Sequence, residues 1–133
     1  MGCDIHIVIE RKRQGDHKWT GLVSTDQLKK RPDCATRDYS FFAEVANVRG
    51  KTTRGNYPQN IPEDVSELAW QEYMSSPTDH HSPSHMSAYD FCALHNEIRP
   101  NNSRKEHAVY DLLGIDTSWP ENAEYRVVFW FDN

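Results

Sequence analysis

No stretch of this chain approaches the eighteen or so consecutive apolar residues that a membrane-spanning helix needs, and its mean hydropathy is −0.84. The sequence therefore predicts a soluble protein with no membrane contact. Cysteine is scarce: three in 133 residues, odd in number and widely spaced, with no CxxC. That argues against a disulfide scaffold or a thiolate zinc site and for a reducing cytoplasm with free thiols. Positive charge is in short supply too, 15 Lys and Arg against 20 Asp and Glu, for a formal net charge of −5. Dedicated nucleic-acid binders are usually basic, and the clusters Arg11-Lys12-Arg13 and Lys29-Lys30-Arg31 are short enough to be solvated faces. GxSxG, the P-loop and GxGxxG are all missing, so three large enzyme classes lack their signposts.

What is present begins with MGCDIHIVIE, Met1 to Glu10. N-myristoylation wants Ser or Thr at the sixth position, where this chain has His6. A secretory signal needs an unbroken apolar run, which Asp4 and His6 interrupt before Glu10-Arg11-Lys12-Arg13 ends it. Alternation across a strand fits better: Cys3, Ile5, Ile7 and Ile9 fall on one face, and Asp4, His6, Val8 and Glu10 on the other.

The chain's length suits one domain, residues 1–133, with a single core. Gly15-Asp16 marks a turn into a second strand over Lys18 to Val23, making an N-terminal hairpin. Phe41, Phe42, Val45 and Ala46 share a helical face that Asp38 or Ser40 can cap. Residues 49–62 read as a loop, and Pro62 as the start of a helix over roughly 63–75, with a Val65, Leu68, Ala69, Tyr73 stripe. Residues 75–85 read as a second turn-rich loop. Ser87 with Asp90, and Ser103 with Glu106, have capping-box spacing for helices to about Glu97 and over about 104–113, the latter stopped by Gly114. The ending Tyr125 to Phe131 is dense in Val, Phe and Trp and reads as a buried central strand. The predicted fold is α+β: a small sheet holding both chain termini, the N-terminal hairpin and the C-terminal strand, packed against three or four helices. The first and last strands are expected to lie near one another, although nothing in the sequence fixes their pairing.

Candidate chemistry concentrates in two places. His80, His81 and His85 lie within six residues of one another, beside Asp79 and among Ser82 and Ser84. Imidazole and carboxylate together are a usual ligand set for zinc, manganese, iron or nickel. Asp4 and His6, projecting from one strand face, can complete such a set. The plainer reading makes the DHH tripeptide a polar surface turn. Its likeness to the DHH phosphoesterases is read as chance, because those proteins are much longer. Cys3 and Cys92 fall on apolar faces, where free cysteines behave as small hydrophobes. His95 and His107 read as helix-surface or satisfied core residues. Arg37, Arg49 and Arg54 flank polar loops near Tyr39 and Tyr57, a combination suited to phosphate and a stacked base, although loop arginines are more often solvated.

The segments MGCDIH, DYSFFAEVANVRG, DHHSPSH and RVVFWFDN resemble a family of short phage and prophage proteins that begin MGCDIH and end VFWFDN. The resemblance runs over most of the chain. It falls on Gly2, Cys3, Asp4 and His6, on Asp79, His81, Ser82 and Ser84, and on Phe129, Trp130, Phe131 and Asp132; His85 stands where an aromatic residue often follows. It implies a virus-encoded protein of the bacterial host cytoplasm, and it singles out the same Asp/His pairs without supplying a mechanism.

Two functions follow as expectations. In the first, Asp4, His6, Asp79 and His81 hold one divalent ion, zinc or manganese, and activate water as a metal-dependent phosphoester hydrolase. Ser82, Ser84, Arg49 and Tyr39 then bind a small phosphate-containing ligand. In the second, a non-enzymatic anti-defence protein binds a host protein or a nucleotide signal, and the His/Asp/Ser loop is a recognition surface or an anchor for the N-terminus. A bound metal favours the first; an exposed aromatic patch favours the second.

Overall fold

The computed structural model describes residues 2–28, 35–100 and 123–133. The expected helix at 104–113, its Gly114 stop, His107, Cys34 and the Lys29-Lys30-Arg31 cluster lie outside them. The rest is an α+β fold with a four-stranded antiparallel sheet in the order β2-β1-β4-β3. β1 spans Asp4–Arg13, β2 Thr20–Ser24, β3 His81–Ser87 and β4 Ala123–Asp132. Both end segments of the chain therefore lie at the sheet's centre, paired in register from Asp4↔Asp132 to Arg13↔Ala123.

Alternation along β1 and β4 gives the sheet two different faces. Cys3, Ile5, Ile7, Ile9, Val127, Phe129 and Phe131 form one side of the larger core. Against them pack α1 (Tyr39–Ala46) and α3 (Ala88–Ile98), which contribute Phe41, Phe42, Val45, Phe91 and Leu94. Asp38 caps α1 by accepting from the Phe41 N–H, and Ser87 caps α3 by accepting from the Asp90 N–H. On the second face Val8, Val128 and fully buried Trp130 meet α2 (Glu67–Met74) through Ala69, Leu68 and Tyr73. Gly21 lets α2 come close to β2, because a Cβ there would stand 2.5 Å from that of Leu68.

Two expectations needed correction. α2 starts at Glu67 and not at Pro62, because the Ser66 hydroxyl accepts the Ala69 N–H and so sets the first turn. Residues 62–65 form a turn instead, closed by the Val65 N–H on the Pro62 carbonyl at 3.1 Å. The supposed loop at 75–85 runs into an edge strand, β3. Its sequence HSPSHMS has no β-branched residue and carries a proline, and its register slips between His81 and Ser84, where Ser82 adopts φ +53°. Pro is tolerated at such an edge.

One polar group breaks the apolar pattern of the sheet. Glu10 is fully buried on the second face beside its cross-strand partner Arg126. Its carboxylate accepts from the Arg126 Nε–H and, at 2.6 Å, from the Ser66 N–H. Arg126 also reaches Asp64 at 2.8 Å and stacks its guanidinium 4.1 Å from the Trp19 ring centroid. The Arg126 hydrogen bond holds Asp64 below its ordinary value. Strand, helix cap and hairpin are thus tied at one node.

Candidate functional site

The polar residues of interest gather where β1 begins and β4 ends. His6 projects from the second face, and both ring nitrogens are taken: Nδ1 lies 2.8 Å from Asp26 Oδ1 and Nε2 lies 2.5 Å from Asp132 Oδ2. A neutral imidazole has one N–H, so bonding to two carboxylates calls for the imidazolium. Burial alone pulls its pKa down, but the hydrogen bonds it donates to Asp26 and Asp132 outweigh that and raise it. Asp26 comes from a 3₁₀ turn, Thr25–Gln27, that β2 delivers beside β1. Glu72 of α2 is pushed up by burial and by nearby Asp26. The His80 ring lies 5.0 Å from that of His6, between Tyr73 and Trp130, with Nδ1 donating to the Tyr73 carbonyl at 2.7 Å.

At the same corner Asp4 accepts from the Arg37 Nε–H at 2.7 Å, and its own N–H donates to Asp132 at 3.3 Å. Gly2 leaves the space that the Arg37 guanidinium fills. The Tyr39 hydroxyl accepts the Cys3 N–H at 3.0 Å, and Arg49 covers the Tyr39 ring at 5.2 Å. Cys3 is fully buried, and burial raises its thiol despite a lowering hydrogen bond with Arg49. A raised, buried thiol is the reverse of an activated nucleophile.

The expected ligands are only partly brought together. Asp4 and His6 meet through Asp132. His81 lies on the other face, stacked on Phe131 and held by the Ser82 hydroxyl at 3.0 Å and Asn133 at 3.2 Å. Asp79 is exposed on the turn before β3, where its N–H donates to the Ser76 carbonyl at 3.1 Å. Ser84 is buried and accepts the Gln59 N–H at 3.1 Å, so it fastens the 49–62 loop to β3. Among the described residues no group of three or more His, Cys, Asp and Glu side chains is disposed to hold a metal ion. Asp26 and Asp132 are the partners that sequence reasoning missed, and His80 takes the place expected of His81. Asp132 was within reach, because pairing the first strand with the last in antiparallel register sets it opposite Asp4. Asp26 carries no such signal.

A second feature lies on the outer side of α2. Trp70 and Met74, one helical turn apart, are 46% and 43% exposed, whereas Ala69 and Tyr73 face inward. Beside them a groove of about 860 Å³ runs between the start of β2 and α2, lined by Trp19, Gly21, Val65, Leu68 and Trp70. Among the described residues no helix is long and apolar enough to cross a membrane. Compared with known proteins, the chain matches no family model, no curated protein and no solved structure.

Proposed function

We propose that this is a phage-type accessory protein of the bacterial cytoplasm that acts by binding a host protein, in the manner of an anti-defence factor, and not by catalysis. One observation carries the reading: α2 presents Trp70 and Met74 outward, and Trp70 also lines a groove whose opposite wall holds Trp19. Tryptophan and methionine are enriched in interface cores, and tryptophan among the few residues that dominate binding energy. The polar end of the sheet has the character of an anchor. Asp132 ties the chain's first residues to its last through His6 and the Asp4 N–H, while Arg37 holds Asp4, Asp26 holds His6 and His81 holds Asn133. The likeness to the MGCDIH proteins supports the cellular setting.

A metal-dependent phosphoester hydrolase would instead need His6 to release Asp26 or Asp132 and expose a nitrogen. Stoichiometric zinc or manganese in untagged protein would favour that alternative.

Changing Trp70 and Met74 together to Asp should leave folding stability within about 0.5–1 kcal/mol, as expected for exposed positions. The same double variant should abolish co-elution of the partner with the protein on gel filtration of a host lysate. Tyr89→Asp, at a position 70% exposed on α3, should not. Undiminished co-elution with the double variant would refute the assignment.

A further inference from the structure

The two edges of the sheet are treated differently. β3 is covered by the 49–62 loop: the Asn60 N–H donates to the Pro83 carbonyl at 2.9 Å, the Gln59 N–H donates to Ser84, and His85 donates to the Asn60 carbonyl at 3.1 Å. β2, at the other edge, pairs only with β1 among the described residues. Its sequence TGLVS has neither the charge nor the proline that often blunts an open edge; a register shift at Leu22 leaves Thr20–Gly21 and Val23–Ser24 as its paired stretches. Thr20 is exposed, and Gly21, Leu22 and Val23 are only partly buried. The groove opens along the first half of this strand, so a chain laid there would reach the β2 backbone on one side and Trp70 on the other.

The charge of the rim selects among segments that can enter. Glu63 and Glu67 line the α2 side together with Asp64, which Arg126 already pairs, and Lys18 is the one Lys or Arg among the lining residues. The whole chain carries −5. An acidic segment would meet repulsion from both, and a basic one attraction that acts before contact.

We infer that the partner enters as an extended, lysine- or arginine-bearing segment that adds to the open edge of β2 as a fifth strand, with an apolar side chain seated against Trp70. This rests on the protein-binding reading above and specifies its chemistry. Backbone hydrogen bonds supply affinity in this mode, and alternate side chains supply selectivity. Five residues of β2 span about 17 Å at roughly 3.3 Å per residue, enough for a short peptide to report the interaction.

The test is an amide-resolved NMR titration of the full chain with three synthetic peptides. The first alternates lysine and valine around a central tryptophan (KVKWKVK). The second replaces each lysine by glutamate. The third is the first with alternate backbone amides N-methylated, which removes strand donors and keeps every side chain. The basic peptide should shift the amides of residues 20–24 and the Trp70 indole saturably. It should bind at least about tenfold more tightly than the acidic one at low salt, with the gap narrowing as salt rises. N-methylation on the pairing side should weaken it by a similar factor. Equal binding by the acidic or the N-methylated peptide, or no shift at millimolar basic peptide, would overturn the inference. If a cross-linker at position 70 still captured a protein in cells, the strand-addition chemistry alone would have failed. If that capture failed as well, the binding reading would fall with it.

Discussion

Replacing Arg126 by Met should cost about 3–5 kcal/mol of folding stability, the range found when one partner of a buried ion pair is removed. Glu10 would keep the Ser66 N–H but lose the one cation paired with it among the described residues, in a position with no exposure to water. Asp64 would lose the same guanidinium, and Trp19 the cation stacked on its ring. For a domain stabilised by about 5–15 kcal/mol in total, such a loss takes a large share. Urea denaturation at neutral pH reads it directly. Adding Glu10→Gln to Arg126→Met should recover part of the loss, because the stranded carboxylate is then gone. A single-variant effect below about 1 kcal/mol would mean that the node is not the fastening of the sheet to α2 that its geometry indicates.

The second large effect depends on pH and belongs to His6. The folded state holds the imidazole above its ordinary value of 6.5. Its stabilisation is therefore complete below that ordinary value and disappears as pH rises through the raised folded one. Hydrogen bonds to charged groups contribute about 1.5–3 kcal/mol. His6→Gln should thus lose roughly that amount relative to wild type at pH below the ordinary value, and the gap should close as pH rises through the raised folded one. Glutamine cannot donate from both ends of a ring to Asp26 and Asp132, which lie on different elements. Chemical denaturation across that range gives the comparison. A gap that stayed constant with pH would show that the bridge does not require the charged imidazole.

These effects bear on how far the sequence could be read. The Ile5-Ile7-Ile9 alternation and the aromatic run to Phe131 announced the two central strands, because a period of two is hard to produce otherwise. Asp38 and Ser87 announced α1 and α3 by capping chemistry that acts over three residues. β3 was hidden because its stability comes from its neighbours: β4 on one side and the Gln59-Asn60 segment on the other, not its own composition. The same distinction governs the site. Asp4 and His6 stood out as polar residues on a strand, and their meeting with Asp132 follows from strand register. Asp26 arrives from a three-residue 3₁₀ turn whose position depends on how β2 leaves the sheet. Arg49 and Tyr39 were expected to bind ligand and are found side by side, joined to Cys3. The outward face of α2 was legible in part. Trp70 and Met74 fall outside the Val65, Leu68, Ala69, Tyr73 stripe, so their exposure follows from helical period alone.

Recognition through α2 and anchoring at the polar end of the sheet are separated most directly by a photo-cross-linking amino acid. It would be placed at position 70 in one variant and at position 37 in another, both exposed, and irradiated in living bacterial host cells. A discrete cross-linked protein from position 70 and none from position 37 is the predicted result. An adduct from position 37 alone would contradict it and make the Asp4, His6 and Asp132 corner the working surface.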